Sequence, residues 1–117
     1  MKQAEDLDLI ASNLKEMSVT LAAAHDPRLI EEFLYSLFTK SEADEIAKRW
    51  ALVKDLASGI PQRQIAHNLG LSLCKITRGS RELKKPDSAF RRMLQIAGIH
   101  VAERRTSREK SDKAGRP

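Results

Sequence analysis

Between Gln62 and Arg78 the chain places a small residue, a glycine and a β-branched residue at Ala66, Gly70 and Ile76, and this spacing restricts the fold more than any other feature. A small residue lets two helices cross closely. A glycine accepts the positive φ of a tight turn, and a buried branched side chain pins the second helix to the first. The spacing is that of a helix-turn-helix, covering about residues 61–85. Any two helices joined by a glycine turn would share part of it, so the surrounding residues have to decide.

The rest of the chain reads as helix throughout, with no strand of convincing length. Leu7, Ile10, Leu14, Met17 and Leu21 recur at steps of three and four, giving a helix with one narrow apolar seam that packs either on its own domain or on a partner chain. Asp26 and Pro27 supply an N-cap and a first-turn proline for a second helix with a wide apolar face, Leu29, Ile30, Phe33, Leu34, Leu37 and Phe38. Thr39 and Glu42 form a capping box for a third, whose buried stripe is expected at Ile46, Trp50, Val53 and Ala57, with Gly59 as its stop. A fourth helix starts at or beside Pro61 and runs through His67, and Ser72 caps a fifth. Pro86 and Asp87 close the fifth and cap a sixth, which carries Phe90, Met93, Leu94 and Ala97 on one face and fades near Gly98. The fold class expected is therefore all-α, with six helices in one domain over residues 1–99 and a basic tail over 100–117.

Composition bears on partners. Aromatic residues are 4% of the 117 and charged residues 32%, so a single copy has few large side chains for a deep interior, which favours oligomerisation. A formal charge of +5 suits a polyanionic partner. The lone Cys74 can form no internal disulfide, the N-terminal residues do not read as a signal peptide, and no run is long enough to span a membrane, so a cytoplasmic, membrane-independent protein is expected. His25, His67 and His100 lie in separate segments without a second ligand at useful spacing, so no metal is expected. No nucleophile and base pair or phosphate loop suggests an enzyme.

On a helical wheel of the fifth helix, Ile76 and Leu83 point inward, while Leu73, Cys74, Thr77, Arg81 and Lys84 share an outward face suited to base edges, thymine methyls and phosphates. With Gln62, Arg63 and Lys75 these are the candidate DNA-binding residues. Arg78 and Glu82 occupy a third face one turn apart, where they make either a solvated ion pair or the two halves of a site for a zwitterion. The tail arginines Arg104, Arg105 and Arg108 extend into solvent or add phosphate contacts.

The run Ile76-Thr77-Arg78-Gly79-Ser80, followed by Leu83-Lys84 and preceded by Gln62-Arg63, closely resembles the tryptophan-dependent repressors of bacterial tryptophan biosynthesis. Leu37-Phe38-Thr39 and Arg49 fall in matching places, with one residue fewer in the loop at Gly59. The resemblance covers about Leu7 to Leu94 and is weakest in the first helix. It implies an intertwined homodimer whose reading heads enter successive major grooves of operator DNA, a docking mode for which the tryptophan repressor is itself a standard example. It also implies L-tryptophan as corepressor. Arg49 and Arg78 would flank the indole, Arg78 and Thr39 would lie near the carboxylate, backbone carbonyls around Ser36 to Phe38 would receive the ammonium, and Gly79 would leave room for the ring. Three positions depart from the family. Glu82 stands where a serine is usual, Arg81 replaces an asparagine and Ala66 a basic residue, so ligand preference and DNA contacts are open to change. An effector-independent helix-turn-helix protein, such as a related regulator or a transposase subunit, is the competing expectation, against which Arg49, Thr39 and Gly79 argue together.

Overall fold

The computed structural model describes residues 2–100, and within them every element is helical: α1 Lys2–Ala24, α2 Pro27–Leu37, α3 Lys40–Ala57, α4 Gln62–Leu69, α5 Leu73–Lys84 and α6 Ala89–Ile96. The basic tail expected beyond His100 lies outside the described residues. The chain divides between Ala43 and Asp44 into two compact units.

Local capping chemistry sets most of the boundaries. Asp26 caps α2 by accepting the N–H groups of Arg28 and Leu29 on Oδ1 at 3.1 and 3.4 Å, with Pro27 in the first turn. His25, just before it, turns the chain with φ 52°, a left-handed conformation uncommon outside glycine. The capping box at α3 is reciprocal: the Thr39 N–H donates to Glu42 Oε1 at 2.9 Å and the Glu42 N–H to Thr39 Oγ1 at 3.1 Å. Ser72 caps α5 by accepting the Lys75 N–H at 3.3 Å. At α6 the cap is Ser88, whose hydroxyl accepts the Arg91 N–H at 3.1 Å, and not Asp87 as expected. Asp87 falls one residue too early and instead meets Arg92 at 3.6 Å in solvent.

In the first unit α1 packs on α2. Met17, Leu21 and Ala24 line a groove with Leu29, Ile30 and Phe33, so the lower half of the α1 seam is used within the unit. Its upper half is not covered in the single chain, where Ile10 and Leu14 are 54% and 56% exposed.

The second unit has two joined apolar clusters. Val53, Ala57, Leu83 and Leu94 form one, with Trp50, Leu56, Phe90 and Ile99 against it. Leu52, Ile65 and Ile76 form the other, with Ala66, Leu69 and Leu71 packed around them. Three residues of the expected inward stripes are outside. Ile46 is 42% exposed, because the buried part of the α3 stripe begins only at Trp50. Met93 is 55% exposed, because in α6 only Phe90 and Leu94 share the inward line and Met93 lies about 100° round the axis from Leu94. Ala97 is also exposed, at the C-cap of α6.

Candidate effector hollow and nucleic-acid interface

The turn between α4 and α5 places the reading helix. Gly70 ends α4 at φ 64°, ψ 39°, and the Leu71 N–H returns to the Ala66 carbonyl at 3.1 Å. A Cβ on Gly70 would meet nothing within 4 Å, so glycine is favoured here by backbone conformation. Gly79 is different. Its φ is helical, but a Cβ there would stand 3.0 Å from Leu52 Cδ2 and 3.5 Å from Leu56 Cδ1, so its missing side chain is what lets α5 lie close on α3.

With Ile76 and Leu83 turned inward, the outer side of α5 carries a shallow groove lined by Leu73, Cys74, Thr77, Arg78, Arg81 and Glu82. Lys84 is exposed further along the same helix, and Gln62 and Arg63 are exposed in the first turn of α4. Lys75 departs from this group: it lines the hollow described below and approaches Glu45 at 3.9 Å. Neither α4 nor α5 has an acidic residue in its first turn, and Pro61 gives α4 no side-chain cap, so the positive ends of both helix dipoles remain available to anions.

A feature absent from the sequence reading fixes the far end of α5. Arg91, on α6, donates from Nη2 to the carbonyls of Leu83 and Lys85 at 3.0 and 2.6 Å and from Nη1 to that of Pro86 at 3.4 Å. A cation on the last carbonyls of a helix satisfies acceptors that have no intrahelical donor and complements the dipole. The spacing of eight residues from Leu83 to Arg91 matches no local pattern, so only the packing of α6 reveals it.

The other side of α5 borders a hollow of about 360 Å³, within the ~300–1,000 Å³ typical of small-molecule sites. Arg49, Arg78, Gly79 and Glu82, four of the residues expected to hold an effector, all line it. Leu52, Leu71 and Phe90 give it apolar wall, and Asp44, Glu45, Lys48 and Lys75 add charge that the sequence reading did not assign to it. The other expected effector residues, Ser36, Phe38 and Thr39, belong to the first unit, where the Thr39 hydroxyl is engaged in the α3 cap. Of the two alternatives for Arg78 and Glu82, the direct ion pair does not form. Glu82 Oε2 is held by Lys85 Nζ at 2.9 Å, because Lys85 at the helix end reaches the same carboxylate. Among the described residues no three His, Cys, Asp or Glu side chains cluster as metal ligands, and no helix is long and apolar enough to cross a membrane.

The profile described as Trp repressor protein matches residues 12–97. The Trp operon repressor homolog of Chlamydia trachomatis serovar D is 37% identical over 79 residues, covering 66% of this chain and 84% of that protein. The Trp operon repressor homolog of Haemophilus influenzae is 33% identical over 90 residues, covering 74% and 89%. No solved structure matches the chain.

Proposed function

The chain belongs to the Trp repressor family, a family of transcriptional repressors, and from this premise we propose that it is a cytoplasmic, homodimeric repressor that binds operator DNA when L-tryptophan occupies the hollow beside α5. The observation that carries the reading is the placement of two sets of residues on one helix. Gly79 borders the hollow, Leu73, Cys74, Thr77 and Arg81 line the groove on the outer side, and Arg78 and Glu82 border both. A ligand that fixes the tilt of α5 therefore fixes the DNA-reading side chains as well.

The chemistry of the hollow supports an aromatic amino acid. The planes of Arg49 and Arg78 stack on an indole and keep a charge for a carboxylate, while Leu52 and Phe90 exclude water from the ring. On the DNA side, Thr77, Cys74 and Leu73 meet base edges and thymine methyls. Arg81, Lys84, Gln62 and Arg63 supply phosphate and base contacts, with the dipoles of α4 and α5 adding to the phosphate field. Residues 1–99 form the dimerisation and DNA-binding domain, and 100–117 a basic extension. Effector control requires that L-tryptophan bind the DNA-competent arrangement more tightly than the other, and the operator affinity rises by at most that ratio.

Calorimetric titration with L-tryptophan tests the reading, paired with binding to DNA selected by the protein from a random pool in the presence of L-tryptophan. Saturation near one ligand per chain and a tryptophan-dependent gain in DNA affinity are expected. Arg78→Leu should abolish that gain while the protein remains a folded dimer by circular dichroism and sedimentation. A gain unchanged in Arg78→Leu would remove Arg78 from the site, and absence of binding would remove tryptophan.

A further inference from the structure

The charges around the hollow are unevenly partnered. Each of its three carboxylates already holds a lysine: Asp44 with Lys48 at 3.7 Å, Glu45 with Lys75 at 3.9 Å, and Glu82 with Lys85 at 2.9 Å. Its two guanidinium groups, Arg49 and Arg78, have no carboxylate within 4.0 Å among the described residues. The hollow is thus prepared for the carboxylate of an amino acid and not for its ammonium. A plain carboxylic acid carrying the same ring would satisfy the guanidinium charge equally well.

Glu82 is the carboxylate best placed to change partners. It follows Arg78 by one turn on α5, so their Cβ atoms are about 5–6 Å apart, and a ligand whose carboxylate rests on Arg78 brings its neighbouring ammonium toward Glu82. Lys48 and Lys75 line the hollow themselves, whereas Lys85 is outside its lining and reaches Glu82 from the end of the helix. The Lys85 and Glu82 side chains are 57% and 42% exposed, so their pairing is screened by water and easily exchanged.

Resting on the effector reading above, we propose that Lys85 is an internal competitor for the ligand ammonium on Glu82, and that this exchange sets how far the site prefers a zwitterionic indole ligand over an anionic one. Binding of an α-amino acid transfers Glu82 from the Lys85 ammonium to the ligand ammonium and returns Lys85 to solvent. An acid without the amino group leaves the pair intact. The Glu82 substitution is then compatible with an amino-acid effector, at the cost of displacing Lys85.

The test is calorimetric titration of the full-length protein with L-tryptophan and, separately, with indole-3-propionate, which lacks only the ammonium. Lys85→Met should raise the preference for L-tryptophan over indole-3-propionate by up to about fivefold, the upper end for one exposed ion pair. Glu82→Gln should lower that preference, and Lys85→Met added to Glu82→Gln should no longer move it, since the competition needs both groups. A preference unmoved by Lys85→Met, or moved equally in the Glu82→Gln background, overturns the proposal while leaving the effector reading intact. Binding of neither ligand to the unaltered protein overturns both.

Discussion

The residues up to Ala43 and those from Asp44 onward begin with similar material, amphipathic helices with good caps, and end differently. The first unit has the longest helix of the chain, α1, yet none of its described side chains is fully buried. The second, built from α3 and three helices of 12 residues or fewer, closes over Leu52, Val53, Ala57, Ile65, Ile76, Leu83 and Leu94. Two helices meet along one line and can shield only that line. Several helices crossing at different angles enclose residues from more than one side. Helix length therefore says little about self-sufficiency. What distinguishes the units is how many directions the cover comes from, and the exposed stripe at Ile10 and Leu14 is where the first unit needs a surface that its own two helices do not provide.

The largest expected effect comes from attacking that stripe. On the proposed dimer, Leu14→Asp loses the burial of a leucine twice, about 3–6 kcal/mol in all, and raises the dimer dissociation constant by roughly 10²–10⁴. Sedimentation equilibrium reads this directly. A variant that dimerises as before would show that the exposed half of the α1 seam is an ordinary solvated surface, and the contrast between the units would lose its meaning.

Gly79→Ala probes the closed side. The added methyl meets Leu52, which is buried and has little room to give, so overpacking of about 1–3 kcal/mol opposes the gain in helix propensity of roughly 1 kcal/mol. A net loss of up to about 2 kcal/mol in denaturant unfolding is expected. A more stable variant would mean that α5 and α3 can separate cheaply, and that the second unit is looser than its core suggests.

The smallest effect separates two neighbours at the start of α6. Ser88→Ala should cost about 1 kcal/mol, because a buried hydroxyl that caps the helix is lost, whereas Asp87→Ala should be nearly silent, since its pairing with Arg92 is exposed. Equal losses in thermal unfolding would indicate that Asp87 shares the capping.

Much of the fold was legible in the sequence because much of it is local. Asp26, the Thr39 and Glu42 pair, Ser72 and the glycine turn at Gly70 act over five residues or fewer, and all four perform as their spacing predicts. The inward turn of Ile76 and Leu83 and the outward turn of Leu73, Cys74, Thr77 and Arg81 follow from helix periodicity too, whereas Arg78 and Glu82, expected on a separate third face, border both the hollow and the outer groove. In the hollow, Arg49, Arg78, Gly79 and Glu82 were found through family resemblance and a helical wheel. Leu52, Phe90, Glu45 and Lys48 were not, as they lie on α3 and α6, outside the α5 wheel, and only the packing of those helices against α5 brings them to the hollow.

The amino-acid sequence by itself determined the helices, all of the expected caps but that of α6, the turn and the family to which the chain belongs. Tertiary structure decided which apolar stripes are covered, leaving Ile46 and Met93 outside. It also decided that Arg91 secures the end of α5 and that Gly79 makes room for Leu52. The partner of Glu82 belongs with these outcomes: Arg78 and Lys85 both lie within one turn of it, and pattern alone could not rank them. The physical reason is common to all of these. A cap or turn is chosen by backbone geometry within a few residues, whereas burial and the choice between competing long side chains depend on how separate helices pack and on small differences in solvation, which no short stretch of sequence contains.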